Sequence, residues 1–311
     1  MTHALNLVWN PSEGINLGFF MIRYYSLMFV IAFGLGWFLM KKIFERENES
    51  IDKLDSLFVW TVLATLAGAR LGHVFFYDWE YFRNHLLEII LPFRFEPKFE
   101  FTGYQGLASH GAAIAIIVAM YYYSKMILKR PLLWILDRVV IPVASGAIFV
   151  RLGNFFNSEI IGHDTTSAFG IRFLHDQFSK SEAVNATQIA DPKEAYNAIA
   201  TDPKFADLLA QVPAKHPTQL YEAICYVFVF AVLYFLYWKT NARLKSGYLF
   251  GLFLVLLFVV RFIVEFVKES QGGFESELGG YFSTGQWLSI PFIIIGAFFI
   301  FRAQRNPLAA S

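Results

Sequence analysis

Seven apolar runs, each close to the thickness of a bilayer's hydrocarbon core, constrain this chain more than any other feature. They cover roughly residues 17–40, 57–77, 107–123, 132–150, 220–238, 247–267 and 287–301. A helix needs about 20 apolar residues to cross the core, and about 17 marks the short end of the range. Only helices and closed barrels satisfy every backbone group in lipid. The composition agrees, with 56% hydrophobic and 16% charged residues, against about 25% charged in an ordinary soluble domain. The fold class expected is all-α: a polytopic membrane protein of about seven transmembrane helices, forming one integral membrane domain over residues 1–311. Gly34 and Gly36 in the first run, and Gly68 and Gly72 in the second, predict close helix contacts.

Short-loop charge sets the expected orientation. Lys41, Lys42, Arg46 and Lys53 follow the first run, and Lys125, Lys129 and Arg130 follow the third. Lys239, Arg243 and Lys245 follow the fifth, and Arg302 and Arg305 the seventh. Simple alternation puts all four groups on one side, which is then cytoplasmic, with the N-terminus outside and the C-terminus inside. Arg138 fits if it lies near the inner end of its run. No basic region precedes the first run, which ends in Lys41 and Lys42 and so reads as a retained span rather than a cleaved signal. Three segments fall outside. Residues 78–106, with Pro92, Pro97 and many aromatics, are expected to hug the interface. Residues 155–218 form the longest outer segment, with a small helical insertion at about 176–215; Asp191-Pro192 and Asp202-Pro203 read as starts of two short solvated helices. Residues 268–285 are Gly-rich and read as a mobile loop.

Several functions lack the residues they need. A net charge of +1 gives no electrostatic case for nucleic acid. The seven histidines show neither HxxxH nor HExxH spacing, and Cys225, the one cysteine, lies inside an apolar run. That excludes an internal disulfide and offers no metal site.

Arg151 to Glu159 reads RLGNFFNSE and puts a guanidinium, two carboxamides and a carboxylate at the end of the fourth run. Such groups are expensive at a bilayer edge unless they pair or act. The expected topology brings others to similar depth: His110 at the start of the third run, Arg23, Tyr24 and Tyr25 at the first, and His216, Gln219, Tyr221 and Glu222 at the fifth. Arg261 and Glu265 lie near the end of the sixth, Arg261 roughly 9 Å deep at 1.5 Å per residue. Each has a plainer explanation. Arg151 could snorkel to headgroups; Arg261 and Glu265, spaced i,i+4, could be a structural ion pair; His110 could bond backbone groups; the tyrosines could belong to an aromatic belt. Arg70, well inside the second run, either marks a polar interior or ties that helix to another. Two arginines near one boundary suit an anionic phosphate, and a histidine can move a proton near neutral pH. These features point to chemistry on a phospholipid headgroup without saying which bond breaks.

The motifs then become specific in combination. RLGNFFNSEIIG (Arg151 to Gly162) resembles the signature of the bacterial prolipoprotein diacylglyceryl transferases. IRYYSLMF, ARLGHVFFY, SHGAAI, HPTQLYEA, RFIVEFVKE and GQWLSIP follow the same family's blocks in order, over most of the seven runs. The resemblance implies transfer of a diacylglyceryl group from phosphatidylglycerol to the lipobox cysteine thiol of a prolipoprotein. A thioether forms, glycerol phosphate leaves and no cofactor takes part; this is the first step of bacterial lipoprotein maturation. It further implies a place in the bacterial inner membrane with the site toward the outer, periplasmic side. His110 matches the family histidine, a candidate base for the thiol. Arg151 and Arg261 would hold the lipid phosphate, Asn154 and Glu159 organise the site, Tyr25 lines it, and Glu265 orients Arg261. Arg70 joins the expected substrate-binding residues. The chain departs from the family at Ser158, Ser26 and Ala112, where glycine is common, and in its longer 176–215 segment.

Other classes make different demands. An anion transporter needs a polar path from face to face, yet apart from Arg70 the ionisable residues map near the outer ends. A headgroup hydrolase needs an activated water. A structural or receptor-like membrane protein would tolerate replacement of Arg151, His110 and Arg261.

Overall fold

Backbone geometry turns each apolar run into a helix. The structure, a computed structural model, describes residues 7–18, 21–95, 98–101, 106, 108–269 and 281–305. Seven helices within it are long and apolar enough to cross a membrane: Tyr24–Arg46, Ile51–Phe76, His110–Leu128, Leu132–Phe156, Thr218–Lys239, Tyr248–Val267 and Thr284–Arg305. At most 39% of the most apolar window of any of them is buried, so most of their apolar side chains point outward, as a hydrocarbon solvent requires. The all-α membrane class expected from the sequence is what the chain adopts.

Several boundaries differ from the apolar runs, each for a local reason. The first helix starts at Tyr24 rather than near residue 17, because Gly14–Asn16 and Met21–Arg23 pair as an antiparallel ribbon. The second starts at Ile51, where Ser50 accepts a hydrogen bond from the Lys53 amide. The fourth runs on to Phe156, so Arg151 and Asn154 are helical. The seventh extends over 22 residues to Arg305, ending in a turn that carries Arg302 and Arg305. The expected mobile loop at 268–285 lies mostly outside the described residues.

Packing divides the chain into two compact units: Met1–Leu39 with Asp137–Ser311, and Met40–Leu136. In the second unit the second and third long helices meet through glycine. A Cβ on Gly111 would stand 2.6 Å from Gly72 Cα, and one on Gly68 would stand 2.6 Å from the Gly111 carbonyl oxygen. The absent side chains let the backbones touch. Just after the first helix, the Glu49 side chain is 5% exposed and accepts from Lys53 at 2.7 Å and Arg130 at 2.9 Å. Burial pushes its carboxyl upward, but the two cations more than offset this and hold it below its ordinary value. The described residues between the second and third long helices include short helices Trp79–Phe82 and Leu87–Ile90 and a ribbon pairing Phe93–Arg94 with Glu100–Phe101.

In the first unit, Gly251 and Gly296 serve the same purpose between the sixth and seventh helices, each placed against the other's carbonyl. Asp137 accepts from the amides of Gly247 at 2.6 Å and Phe250 at 2.9 Å, capping the sixth helix. Strand Leu7–Trp9 runs parallel to Ile171–Phe173, which pairs antiparallel with Ala214–Lys215. Between these strands lie helices Lys180–Thr187 and Pro192–Thr201, the latter capped by Asp191. Asp202-Pro203 opens a 3-10 turn that leads into Ala206–Ala210. These are not merely solvated: Leu174, Ala183, Ala195, Tyr196, Ile199 and Val212 bury a small core of their own.

Gly111→Leu is expected to destabilise the protein by about 1–3 kcal/mol, the usual cost of overpacking, while Gly34→Ala, which meets nothing within 4 Å, leaves it unchanged; thermal unfolding in detergent compares them. Glu49 supplies a pH test. Its folded pKa is below the unfolded one, so its contribution is full above about pH 4.5 and fades as pH falls through the folded value. Glu49→Gln should therefore lower the melting temperature at pH 7 and flatten the acid limb of its pH profile; parallel curves for the two proteins would contradict this.

Candidate functional site

The end of the fourth helix begins the site. Arg151 and Asn154 are spaced i,i+3 and share a face. The guanidinium donates from Nη1 to Asn154 Oδ1 at 3.1 Å, and Asn154 Nδ2 donates to Glu159 Oε1 at 2.6 Å. The buried carboxamide therefore links guanidinium to carboxylate and fixes both. Two left-handed residues, Ser158 (φ 53°) and Ile160 (φ 60°), turn the chain after the helix. Only glycine adopts that region without a Cβ penalty, so the turn holds both residues in a conformation that their side chains disfavour.

The fifth helix answers from the other side. Glu222, 1% exposed, forms an ion pair with Arg151 Nε. One turn earlier Gln219 donates to the Glu159 carbonyl at 2.6 Å, and Thr218 Oγ1 donates to the Ile160 carbonyl at 2.7 Å. One turn later the buried Tyr226 hydroxyl lies within electrostatic reach of Arg151, Arg261 and Glu222. From the first helix Tyr25 lays its ring on Gly153, where a Cβ would stand 3.0 Å from Tyr25 Cδ2. Arg151 and Glu159 both act electrostatically on its hydroxyl.

Arg261 occupies the last turn of the sixth helix, 5.9 Å over the Phe258 ring. The ion pair with Glu265 that the i,i+4 spacing allows is not formed among the described residues. The helix tightens to a 3-10 turn over Glu265–Val267, where side chains at i and i+3 eclipse. Glu265 therefore faces Lys268, whose Nζ is 3.3 Å from Oε2, with both side chains under a tenth exposed. Gly285 closes over that carboxylate: a Cβ there would overlap Glu265. Among the described residues Arg261 makes no ion pair.

His110 and Arg70 belong to the other unit. His110 is exposed in the first turn of its helix, its ring 5.1 Å from Phe76 and 5.6 Å from Tyr77. Arg70 has a structural task there. It donates from Nε to the Ile89 carbonyl at 3.1 Å and from Nη2 to the Glu88 carbonyl at 2.5 Å, with Phe82 beneath it. This clamps the 79–90 segment to the second helix, the second of the two roles open to it from the sequence.

Structure thus brings together Arg151, Asn154, Glu159 and Tyr25 with Gln219 and Glu222, whose depth the sequence already marked, places Arg261 within electrostatic reach of Tyr226, and adds Tyr226, Lys268 and Gly285. Glu222 was visible in the sequence as a buried-run acid at the right depth, but nothing in one sequence pairs it with a residue 71 positions away. Lys268 needed knowledge of the 3-10 turn.

Residues 13–302 match the family model described as prolipoprotein diacylglyceryl transferase. A phosphatidylglycerol–prolipoprotein diacylglyceryl transferase of Chloroherpeton thalassium is 36% identical over 303 residues, covering 96% of this chain and 95% of the relative. Proteins of the same name from Porphyromonas gingivalis and Tolumonas auensis are 37% and 34% identical over 291 residues each, covering 92% and 93% of this chain and 90% and 95% of the relatives.

Glu222→Gln removes the one carboxylate in direct ion pair with the largely buried Arg151 guanidinium and should cost up to roughly 3–5 kcal/mol of stability, less where Arg151 re-pairs with Glu159. Arg151→Met combined with Glu222→Leu should recover most of it. Unfolding curves in detergent decide: a single variant as stable as the wild type would show that the pair is not desolvated.

Proposed function

The chain belongs to the prolipoprotein diacylglyceryl transferase family, and we infer that it moves the diacylglyceryl group of phosphatidylglycerol onto the lipobox cysteine of a prolipoprotein. The substrate thiol attacks the glyceryl carbon that carries the phosphate. A carbon–sulfur bond forms, the carbon–oxygen bond to phosphate breaks, and glycerol phosphate leaves. The thiol proton passes to a base, the role proposed for His110. A thiol with a pKa of about 8.5 needs only modest help to ionise.

The observation that carries this reading is the fixed Arg151 guanidinium. Glu222 holds its Nε edge and Asn154 one terminal nitrogen, so donors remain for phosphate oxygens. Arg261, without an ion pair among the described residues, supplies a second cation. Charge developing on the leaving phosphate is then met by donors already oriented, which gain strength where water is excluded. Glu159 and Asn154 position Arg151, and Tyr25 walls the site. The proposed setting is the bacterial inner membrane, with the reaction at the periplasmic face, where exported prolipoprotein arrives and the lipid enters sideways from the bilayer.

Purified protein mixed with phosphatidylglycerol and a lipobox peptide should yield the thioether, seen as a mass increase on the peptide. Arg151→Ala should lower kcat/KM by about 10²–10³, the range for loss of one oriented donor. Release of glycerol phosphate without peptide modification would favour a headgroup hydrolase instead. Full activity in Arg151→Ala would remove the phosphate role.

A further inference from the structure

Outside the groups already assigned, Lys215 engages two carboxylates at once. Its Nζ lies 2.8 Å from Asp176 Oδ2 and 2.8 Å from Glu269 Oε1, and the side chain is 13% exposed. Burial alone would lower its pKa, but the two carboxylates hold it above the ordinary value, so the ammonium stays charged.

The partners matter because of the backbone around them. Residues 161–165, which begin two positions after Glu159, form the middle of a three-segment ladder. On one side Gly162 donates to the His216 carbonyl at 2.9 Å, His216 to His163 at 3.0 Å, and Thr165 to Ala214 at 2.7 Å. On the other, His163 donates to Val267 at 2.9 Å and Glu269 to Ile161 at 3.1 Å. Asp164 bridges Lys215, and Gly162 bridges Lys268, both antiparallel. Gly162 has no room for a side chain between Val267, His216 and Thr218. The two outer segments lie two strand spacings apart, about 9–10 Å, a gap that only a long cation and a long carboxylate close. Lys215 and Glu269 meet across it. Asp176 joins from the Leu174–Gln177 turn, which roots in the small core through the fully buried Leu174.

Lys268 and Glu269 therefore pin one turn from two directions. Lys268 reaches Glu265 near the site, and Glu269 reaches Lys215 on the ladder's far edge. That turn continues directly from the helix end that carries Arg261.

We propose that Lys215 is a positioning residue for the transfer reaction: through Glu269 and Asp176 it locks the 265–269 turn to the 161–165 segment and so holds Arg261 and Glu159 in register. This rests on the transferase reading for its effect on rate, but the lock itself is independent of it.

Two measurements test it. In the thioether assay, Lys215→Met should lower kcat by at least about tenfold, in line with the cost of small displacements of a positioning group. Lys215→Arg, which keeps the charge and reach, should restore most of the rate. Lys180→Met, which breaks the exposed pair with Glu13, should leave it unchanged. In an Arg261→Ala background Lys215→Met should add little, since the two act through one group. Separately, amide exchange should quicken in Lys215→Met at His163 and Glu269 but not in the long helices. Wild-type kcat in Lys215→Met, or an arginine variant no better than methionine, would overturn the positioning role. Unchanged exchange would overturn the lock. A wild-type protein that makes no thioether would instead sink the transferase reading, with the exchange result still judging the lock.

Discussion

A guanidinium cannot be buried alone, and the site follows from how Arg151 is neutralised. Taking an ion out of water costs several kcal/mol even after the surroundings relax, so a carboxylate must arrive in fixed geometry. Glu222 does so from a different helix. That pairing requires the end of the fourth helix and the start of the fifth to meet, which in turn requires the left-handed turn at Ser158 and Ile160 and the side-chain bonds from Thr218 and Gln219 to the turn's carbonyls. The Asn154 relay, the Glu159 carboxylate and the Tyr25 wall are ordered around the same pair. Arg261 meets a milder version of the same problem. It sits in the last turn of its helix, where the unsatisfied carbonyls present partial negative charge to a cation.

The long helices were legible because a bilayer leaves so little choice. An apolar run of sufficient length has one stable conformation in lipid, and each of the seven corresponds to a long helix, with ends displaced by as much as two turns. The signature block was legible because its residues are contiguous. What could not be read was pairing across sequence. Leu7–Trp9 is three residues long and finds its partner at Ile171–Phe173, a match that no local pattern of three residues specifies. Arg70 could mark a polar interior or tie its helix to another on sequence grounds, and only the positions of the Glu88 and Ile89 carbonyls reveal the tie. Glu265 shows the opposite failure. The i,i+4 rule is sound for a continuing α-helix, but the helix tightens at that residue and the partner shifts to Lys268.

The small sheet and the 174–215 helices have a further consequence. Helix ends fray where their last carbonyls and first amides lack partners, and the three helix ends that carry Arg151, Glu222 and Arg261 would be no exception. Here the residues just beyond them hydrogen-bond to one another: 161–163 to 216 on one edge and to 267–269 on the other. A short ladder outside the long helices therefore supplies the rigidity that the ends lack. The candidate site is placed on helix ends, and the connecting segments tie those ends together.

Charge arithmetic explains why both acids are needed rather than tolerated. Arg151 and Arg261 bring two positive charges; Glu222 and Glu159 bring two negative ones, and Lys268 cancels Glu265. The resting cluster is neutral, so it can persist partly desolvated before any lipid arrives. In the proposed reaction a phosphodiester would add a charge of minus one. Glu222 occupies only the Nε edge of Arg151, which leaves terminal donors for such an anion that a point charge such as lysine could not present in a planar fork. Removing Glu222 would strengthen the bare field on the phosphate yet leave Arg151 free to collapse toward Glu159, its other nearby acid. Neutralising the cation from one fixed side sets the direction in which its remaining donors point, and that direction is what a developing anion requires.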